Sequence, residues 1–153
     1  MRSEIAWRAD ENGMLLGAPV HDGHLIRLLV SDGLLEFGIR NLSGDLFTVE
    51  LSDLGEFIVR ELWNGAIVSE FWVWNVRSVP EATWQIPDSA WNVLFSNRVR
   101  ALDARRKEAG KIALAKPEAF LVQLACSYGG DMAAVCGRIR VFETPQAKRK
   151  SNE

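Results

Sequence analysis

The chain of 153 residues has few of the side chains that most often do chemistry: two histidines, two cysteines and one tyrosine. A structural zinc site usually takes four ligands, and a catalytic one takes three protein ligands and a water. Two histidines cannot complete either set, and the cysteines lie far along the chain. The glycine-rich loops that hold nucleotide phosphates are also missing. The sequence therefore predicts no metal, no cofactor and no catalytic residues.

Long apolar runs are missing as well, since no stretch approaches the roughly 20 residues needed to cross a bilayer. The first 13 residues carry three acids and lack the apolar core of a secretory signal. We therefore expect a cytoplasmic protein of the bacterial type, in which Cys126 and Cys136 stay reduced. A hairpin centred on Gly129-Gly130 would place these cysteines on opposite faces, which also disfavours a disulfide.

The composition is ordinary for a globular domain, with 48% hydrophobic and 25% charged residues. We expect one domain over residues 1–144 and a flexible basic tail over residues 145–153. Charge is uneven, because residues 1–77 hold 12 acids and 6 bases whereas residues 78–153 hold 8 acids and 12 bases. The pI of about 5.8 is far below the value above about 9 that is usual for nucleic-acid-binding domains. A nucleic-acid partner is therefore not expected.

Strand signals dominate both flanks of the chain. Apolar and polar residues alternate along residues 34–40, which is typical of a strand with one buried face. Asp32-Gly33 and Asn64-Gly65 are favoured pairs for tight hairpin turns. Residues 20–77 thus predict about five antiparallel strands, and residues 119–143 predict a final hairpin.

One amphipathic helix, at about 89–109, is predicted between these flanks. Its apolar residues recur at spacings of three and four, and Gly110 follows as the expected C-terminal stop. The predicted fold class is α+β, mostly antiparallel β, with seven to nine strands in a curved sheet, a sandwich or a partly open barrel. The helix would pack on that sheet. Its apolar stripe consists of Trp91, Leu94, Phe95, Val99 and Leu102.

Both histidines fall in one tetrapeptide, His21-Asp22-Gly23-His24. Three interpretations compete: a turn in which Asp22 bonds nearby backbone N–H groups, a metal site, and a proton-transfer site. In an extended strand positions 21 and 24 fall on opposite faces, so a shared metal would need a turn between them. The sequence favours the turn. An enzyme that works through these histidines is the least supported of the functions considered.

Tryptophan is over-represented, with six residues of which five fall within 29 positions. Trp72 and Trp74 share one face of a predicted strand whose other face carries Phe71 and Val73, as in a strand buried on both sides. The alternative is an exposed aromatic platform for a sugar, a base or a protein. The apolar content favours a core role. The candidate binding residues are His21, Asp22, His24, Trp72, Trp74 and Trp84.

The stretch VHDGHL (20–25) before a strand, with a Trp-Asn-Gly turn later, resembles small bacterial single-domain proteins of unknown role, and some toxin-immunity proteins have a similar opening. The resemblance covers about six residues, and no residue role is transferred from it. An acidic strand face is a second indication of a partner, because it could meet a basic surface. That predicted face consists of Glu36, Glu50, Glu61 and Glu70.

By elimination, the sequence predicts a non-catalytic macromolecule-binding domain. It would be an interaction or immunity-like protein that binds another protein or itself, with neither nucleic acid nor membrane as a partner. The alternative is a small-ligand module that binds a sugar or a base through the clustered tryptophans.

Overall fold

The computed structural model describes residues 1–76, 86–96, 98–116 and 118–146. Most elements are antiparallel strands, and two helices follow the eighth strand. No helix in these ranges is long and apolar enough to span a bilayer. The elements are β1 (Ser3–Ile5), β2 (Arg8–Ala9), β3 (Leu15–Leu16), β4 (His24–Ser31), β5 (Leu34–Arg40), β6 (Leu46–Ser52), β7 (Phe57–Arg60), β8 (Val68–Val76), α1 (Asp88–Phe95), α2 (Leu102–Ala115), β9 (Ala119–Cys126), β10 (Asp131–Cys136) and β11 (Arg138–Thr144).

Two antiparallel sheets share one apolar core. The large sheet has the strand order β1-β11-β6-β5-β4, the small sheet has the order β7-β10-β9-β8, and neither is closed. The core joins Phe37 and Val49 of the large sheet to Phe71, Val122 and Leu124 of the small sheet. The predicted class, α+β with mostly antiparallel strands, is confirmed. The described residues form several sheets instead of one curved sheet, with eleven strands once the short β2-β3 ribbon is included.

One strand passes from the small sheet into the large sheet. β10 ends at Cys136 and β11 begins at Arg138, so Gly137 is the bend between the sheets. The N–H of Gly137 donates to the carbonyl of Ser52 at 3.1 Å. A Cβ at position 137 would lie 2.8 Å from the Cβ of Asp53, which disfavours any larger residue at the bend. The chain through β6 and β7 follows the same bend, because β6 pairs with β11 and β7 pairs with β10.

The sheets meet again where β4 begins beside the start of β8. The N–H of Leu25 donates to the carbonyl of Ala66 at 2.8 Å, and the N–H of Gly65 donates to the carbonyl of Leu25 at 2.6 Å. The N–H of Val68 donates to the carbonyl of Gly23 at 2.9 Å. These bonds satisfy the backbone groups at the start of β4 and fix how the sheets stack.

The two helices bury apolar side chains against the outer face of the small sheet. Trp91 and Leu94 of α1 and Ala109 and Ala113 of α2 belong to a second apolar core there. The predicted single helix at about 89–109 is wrong, because Ser96 adopts a left-handed conformation (φ 48°) and ends α1.

The first helix ends at Ser96 because a left-handed residue turns the chain out of the helix, and the N–H of Ser96 donates to the carbonyl of Val93 at 3.0 Å. Gly110, the expected stop, lies inside α2. Leu102, assigned to the apolar stripe, is 42% exposed.

The predicted turn at Asn64-Gly65 forms, with the N–H of Ala66 donating to the carbonyl of Trp63 at 3.1 Å. It does not join paired strands, because β10 and β9 lie between β7 and β8. The expectation of a hairpin here is wrong. Turn residues specify a local reversal of the chain, but they do not choose the strand that pairs afterwards.

The hairpin at Gly129-Gly130 forms as predicted, with a different register. Cys136 lies opposite Phe120, so Cys126 and Cys136 face the same core, and the predicted opposite faces are wrong. Both thiols are free and buried. Cys126 is six residues beyond Phe120 in β9, which separates the two cysteines by roughly 20 Å along the strands. A disulfide between them would need a different fold.

The predicted acidic strand face does not form as one surface. Glu36 and Glu50 lie opposite each other in the large sheet, whereas Glu70 lies in the small sheet. Both large-sheet carboxylates already have basic partners, since Glu36 contacts Arg27 at 3.2 Å and Glu50 contacts Arg2. The charges of Glu36 and Glu50 are therefore neutralised by arginines of the same chain.

Arg105 holds the two helices together, and removing its partner should loosen them. Its guanidinium donates to both carboxylate oxygens of Asp88, at 2.8 and 2.6 Å, and this hydrogen bond lowers the pKa of Asp88. At neutral pH we expect Asp88→Asn to lower the Tm, because it removes this ion pair. The drop should be only a few degrees, because the pair is partly exposed to solvent. The difference from wild type should vanish as the pH falls below the ordinary pKa of 3.8 and through the lowered one. Thermal unfolding followed by circular dichroism at several pH values measures this; an equal Tm at pH 7 would contradict it.

Cys136 should be chemically inert in the folded protein. Burial raises the pKa of its thiol from 9.0 to about 12, which lowers the reactive thiolate fraction near pH 8 about 1,000-fold. We expect a Cys126→Ser variant, which keeps only Cys136, to resist a thiol-specific reagent until denaturant is added. Because the unfolded thiol ionises first, stability should also fall as the pH rises above about 9. Fast labelling of the folded variant would contradict the burial of Cys136.

Candidate functional site

The helices leave one end of the outer face of the small sheet open, and a cleft lies there. Its volume is about 750 Å³. Three segments form its walls: residues 9–13, residues 70 and 72–75 of β8, and residues 86, 87 and 89 around the start of α1. Gln123 of β9, which lies opposite Trp72, contributes to the lining. The cleft exists because the apolar cover formed by α1 and α2 stops short of this end of the sheet.

Two parallel tryptophans line the cleft. The rings of Trp72 and Trp74 stack with centroids 5.9 Å apart and planes 6° apart. They project from the same side of β8 because side chains two residues apart share a face. The Nε1 of Trp72 donates to Oε2 of Glu70 at 3.1 Å, and the Nε1 of Trp74 donates to the carbonyl of Asn12 at 3.1 Å. Both indoles are therefore held in place by hydrogen bonds.

The segment beside the tryptophans is shaped by its own turn. Oδ1 of Asp10 accepts hydrogen bonds from the N–H groups of Asn12 at 2.9 Å and Met14 at 2.8 Å. This is the local bonding by which an aspartate stabilises a turn. The carbonyl of Gly13 then accepts a hydrogen bond from the N–H of Val73 at 2.7 Å, which joins the segment to the edge of β8.

The charged groups that line the cleft are all acidic. Asp10, Glu11 and Glu70 contribute carboxylates, and no lysine, arginine or histidine is found among the described residues that line it. Uncharged polar groups come from Asn12, Asn75, Ser89 and Gln123. Because carboxylates that line a low-dielectric recess concentrate negative potential, this cleft favours a cation or a neutral polar ligand over an anion.

The predicted tryptophans divide between core and surface. Trp72 and Trp74 are both partly buried and line the cleft, so neither the core nor the platform interpretation describes them alone. Trp91 is buried, whereas Trp63 is 54% exposed and lies outside the cleft lining. Trp84 lies outside the described residues.

The histidine tetrapeptide forms the predicted turn. The N–H of Gly23 donates to the carbonyl of Val20 at 3.0 Å, and Asp22 has a positive φ of 60°. The carboxylate of Asp22 lies 3.1 Å from Nδ1 of His21, instead of bonding the backbone as expected. His24 has a different partner, the carbonyl oxygen of Gly65, which lies 3.1 Å from its Nδ1.

The two histidines do not share a site: His21 borders a second cavity of about 490 Å³, formed by residues 14–21 and 68–71, and His24 does not line it. The two imidazoles have different partners, and the side chains of His21 and Asp22 are 68% and 57% exposed. Neither histidine lines the tryptophan cleft. Within the described ranges, no three His, Cys, Asp or Glu side chains are grouped closely enough to hold a metal ion. The structure therefore brings Trp72 and Trp74 together but leaves His21, Asp22 and His24 apart from them.

Several cleft residues are not predicted as site residues from the sequence. The sequence predicts Glu70 as part of an acidic strand face, and it identifies Asp10 and Glu11 only as acids near the start of the chain. The stretch DENG (10–13) has the composition of a turn, which is the one local signal available. Its position against β8 depends on contacts about 60 residues apart in the chain.

Comparisons with known proteins add no family or fold assignment: no family model, no curated protein and no solved structure matches this chain. One fold supports many functions, so the chemistry of the site is what indicates a function.

Gly13 is the position where the shape of the cleft is most sensitive to substitution. A Cβ at this residue would lie 2.3 Å from Nε1 of Trp74. We expect Gly13→Ala to displace the indole, to change tryptophan fluorescence and to destabilise the fold by about 1–3 kcal/mol from overpacking.

Gly129→Ala is the matched control for the Gly13 variant. Both glycines have a positive φ, 93° and 99°, but a Cβ at Gly129 would meet nothing within 4 Å. The control should therefore show only the cost of the backbone conformation. Equal unfolding free energies and unchanged fluorescence in both variants would show that Gly13 and Trp74 are not packed together.

Proposed function

We propose that this protein is a non-catalytic binding domain whose tryptophan cleft takes a basic segment of a partner protein. One observation carries the proposal: stacked indoles share a recess with three carboxylates and no basic side chain among the described lining residues. A lysine or arginine side chain would meet both kinds of group at once.

Charge supports a cationic occupant. Asp10 already accepts two backbone hydrogen bonds, and Glu70 accepts one from Trp72. A carboxylate has about four acceptor positions, so each can take a further N–H donor. An arginine guanidinium offers five such donors in a planar fork that suits carboxylates.

Aromatic chemistry supports the same occupant. A cation over an indole face gains about 0.5–2 kcal/mol, depending on how far it is desolvated. Trp72 and Trp74 stand parallel on β8, and the apolar stem of a lysine or arginine can pack along such rings while its charge reaches Glu70. Tryptophan is also the residue type most enriched among binding hot spots.

A neutral sugar or a base is the second candidate, and a specific set of residues favours it. Asn12, Asn75 and Gln123 supply both hydrogen-bond donors and acceptors beside the indoles. Such groups suit ring hydroxyls or base edges, while the ligand ring stacks on tryptophan. The salt dependence of binding separates this candidate from the first, because screening by salt lowers the affinity for a charged ligand only.

Peptide titration tests the proposal directly. We expect a short oligo-arginine peptide to bind and to change tryptophan fluorescence, and its affinity should fall as salt is raised. Trp72→Ala should weaken binding roughly tenfold, since the loss of one cation–π contact is worth about 1–2 kcal/mol. Glu70→Gln should also weaken it, although glutamine keeps an oxygen to accept from Trp72.

Two controls make the titration decisive. Trp63→Ala removes an exposed tryptophan that lies outside the cleft lining and should leave affinity unchanged. An oligo-glutamate peptide of equal length should not bind. Saturable, salt-independent binding of a linear glucan or a nucleoside that is lost in Trp72→Ala would favour the second candidate. Failure of every probe to shift the fluorescence would count against the cleft as a binding site.

A further inference from the structure

The large sheet has one long edge without a strand beside it. The first half of β4 is covered, since the N–H of Leu25 donates to the carbonyl of Ala66 at 2.8 Å. Beyond Leu25, β4 is the last strand in the sheet order. Leu28, Leu29 and Val30 are 37%, 36% and 51% exposed there. Residues 28–30 carry neither a charge nor a proline, and the features that usually protect an edge, here the charged Arg27 and a β-bulge between Leu25 and Arg27, occur only before them.

The other sheet edges are short or covered in the described part of the chain. β1 and β7 have only three and four residues. β8 is flanked by the segment that carries Gly13, which accepts a hydrogen bond from Val73, and by a bridge between Met14 and Trp72. The exposed half of β4 therefore differs from every other described edge.

The hairpin fixes which backbone groups of β4 point outward. Ser31 lies opposite Leu34 across a two-residue turn, which makes them a hydrogen-bonded pair. Hydrogen-bonded and non-hydrogen-bonded pairs alternate along antiparallel strands. Leu29 therefore bonds to β5, whereas Leu28 and Val30 direct their N–H and carbonyl groups to the free edge. The bulge between Leu25 and Arg27 explains why Leu25 also bonds outward.

We infer that this edge pairs with β4 of a second copy of the chain, antiparallel about a two-fold axis at Leu29. That register matches Leu28 of each copy to Val30 of the other, so the outward backbone groups of both residues find partners. Apolar side chains then meet apolar side chains on the core-facing side. On the outer side, Leu29 meets Leu29. The two large sheets would join into one sheet of ten strands.

Charge is compatible with a second copy as the occupant. The register places Arg27 of one copy opposite Ser31 of the other, so no like charges face each other directly. Arg27 already contacts Glu36 within its own chain at 3.2 Å. A two-fold contact uses the same patch on both subunits, so the patch must be complementary to itself. The exposed part of β4 is apolar at three successive positions, so two copies of it can pack against each other.

Cysteine cross-linking tests the register. In this arrangement the two Leu29 residues form a non-hydrogen-bonded pair with Cα atoms about 4.5 Å apart, within the range for a disulfide. Leu29→Cys should form a covalent dimer on mild oxidation. Ser31→Cys, on the same exposed strand, should not, because its two copies would lie roughly 13 Å apart. Cross-linking of both variants at equal rates, or of neither, would overturn the register.

The mass in solution tests the association itself. Light scattering after size exclusion should give twice the 17.1 kDa chain mass at high concentration. Val30→Pro removes an outward N–H while sparing the ladder to β5, and it should raise the dimer dissociation constant at least tenfold. Leu29→Lys, which sets two like charges on the axis, gives the same test without altering the backbone. Leu42→Lys, at a 77% exposed loop residue, is the control and should remain dimeric.

A monomeric wild-type protein, or a dimer that survives both edge variants, would overturn the inference. The result is separable from the proposed function, because the tryptophan cleft lies on the small sheet. Oligo-arginine binding should be the same in Val30→Pro as in wild type. Loss of peptide binding with an intact dimer would reject only the cleft proposal.

Discussion

The small sheet is buried on both faces, and this constraint determines the layers on either side of it. β9 and β10 place side chains alternately toward the large sheet and toward the helices, and almost all of them are apolar or small. Leu124 and Ala134 belong to the first core, and Leu121 and Ala133 to the second. A sheet with apolar residues on both faces needs a layer on each side. The large sheet supplies one layer and the two short helices supply the other.

The candidate site follows from that constraint. The helices cover only part of the outer face, so Val76 at the end of β8 is buried while Trp72 and Glu70 border open space. Residues 10–13 lie beside the uncovered part of this face, and together they form a recess with aromatic and acidic walls. The site thus lies at the border of the second apolar core, where Trp74 packs against that core and also lines the cleft.

The sequence predicts local features of this fold better than non-local ones. Period-two alternation identifies residues 34–40 as a strand because the signal lies within one element. The turn at Asn64-Gly65 is equally clear, but the strand that follows pairs with β9, far along the chain. The helix prediction fails for a different reason. The apolar spacing continues past Ser96, but spacing indicates which face of a helix is buried and not where the helix ends, and the left-handed conformation of Ser96 ends α1.

The same distinction applies to the candidate site. Trp72 and Trp74 are predicted to share a face because strand geometry alone requires it. The partners of Trp74, Asn12 and Gly13, come from a turn about 60 residues earlier. No periodicity links those positions. The histidine tetrapeptide shows the converse: its turn is predicted correctly, because Gly23 and Val20 are neighbours in the chain.

The bend at Gly137 has a consequence for how the chain folds. Because residues 131–144 contribute a strand to each sheet and pair throughout with residues 46–60, neither sheet can be completed before a loop of some 80 residues has closed. Such distant pairing makes the transition state costly in chain entropy. We expect this protein to fold slowly for its size, with both sheets forming in a single cooperative step.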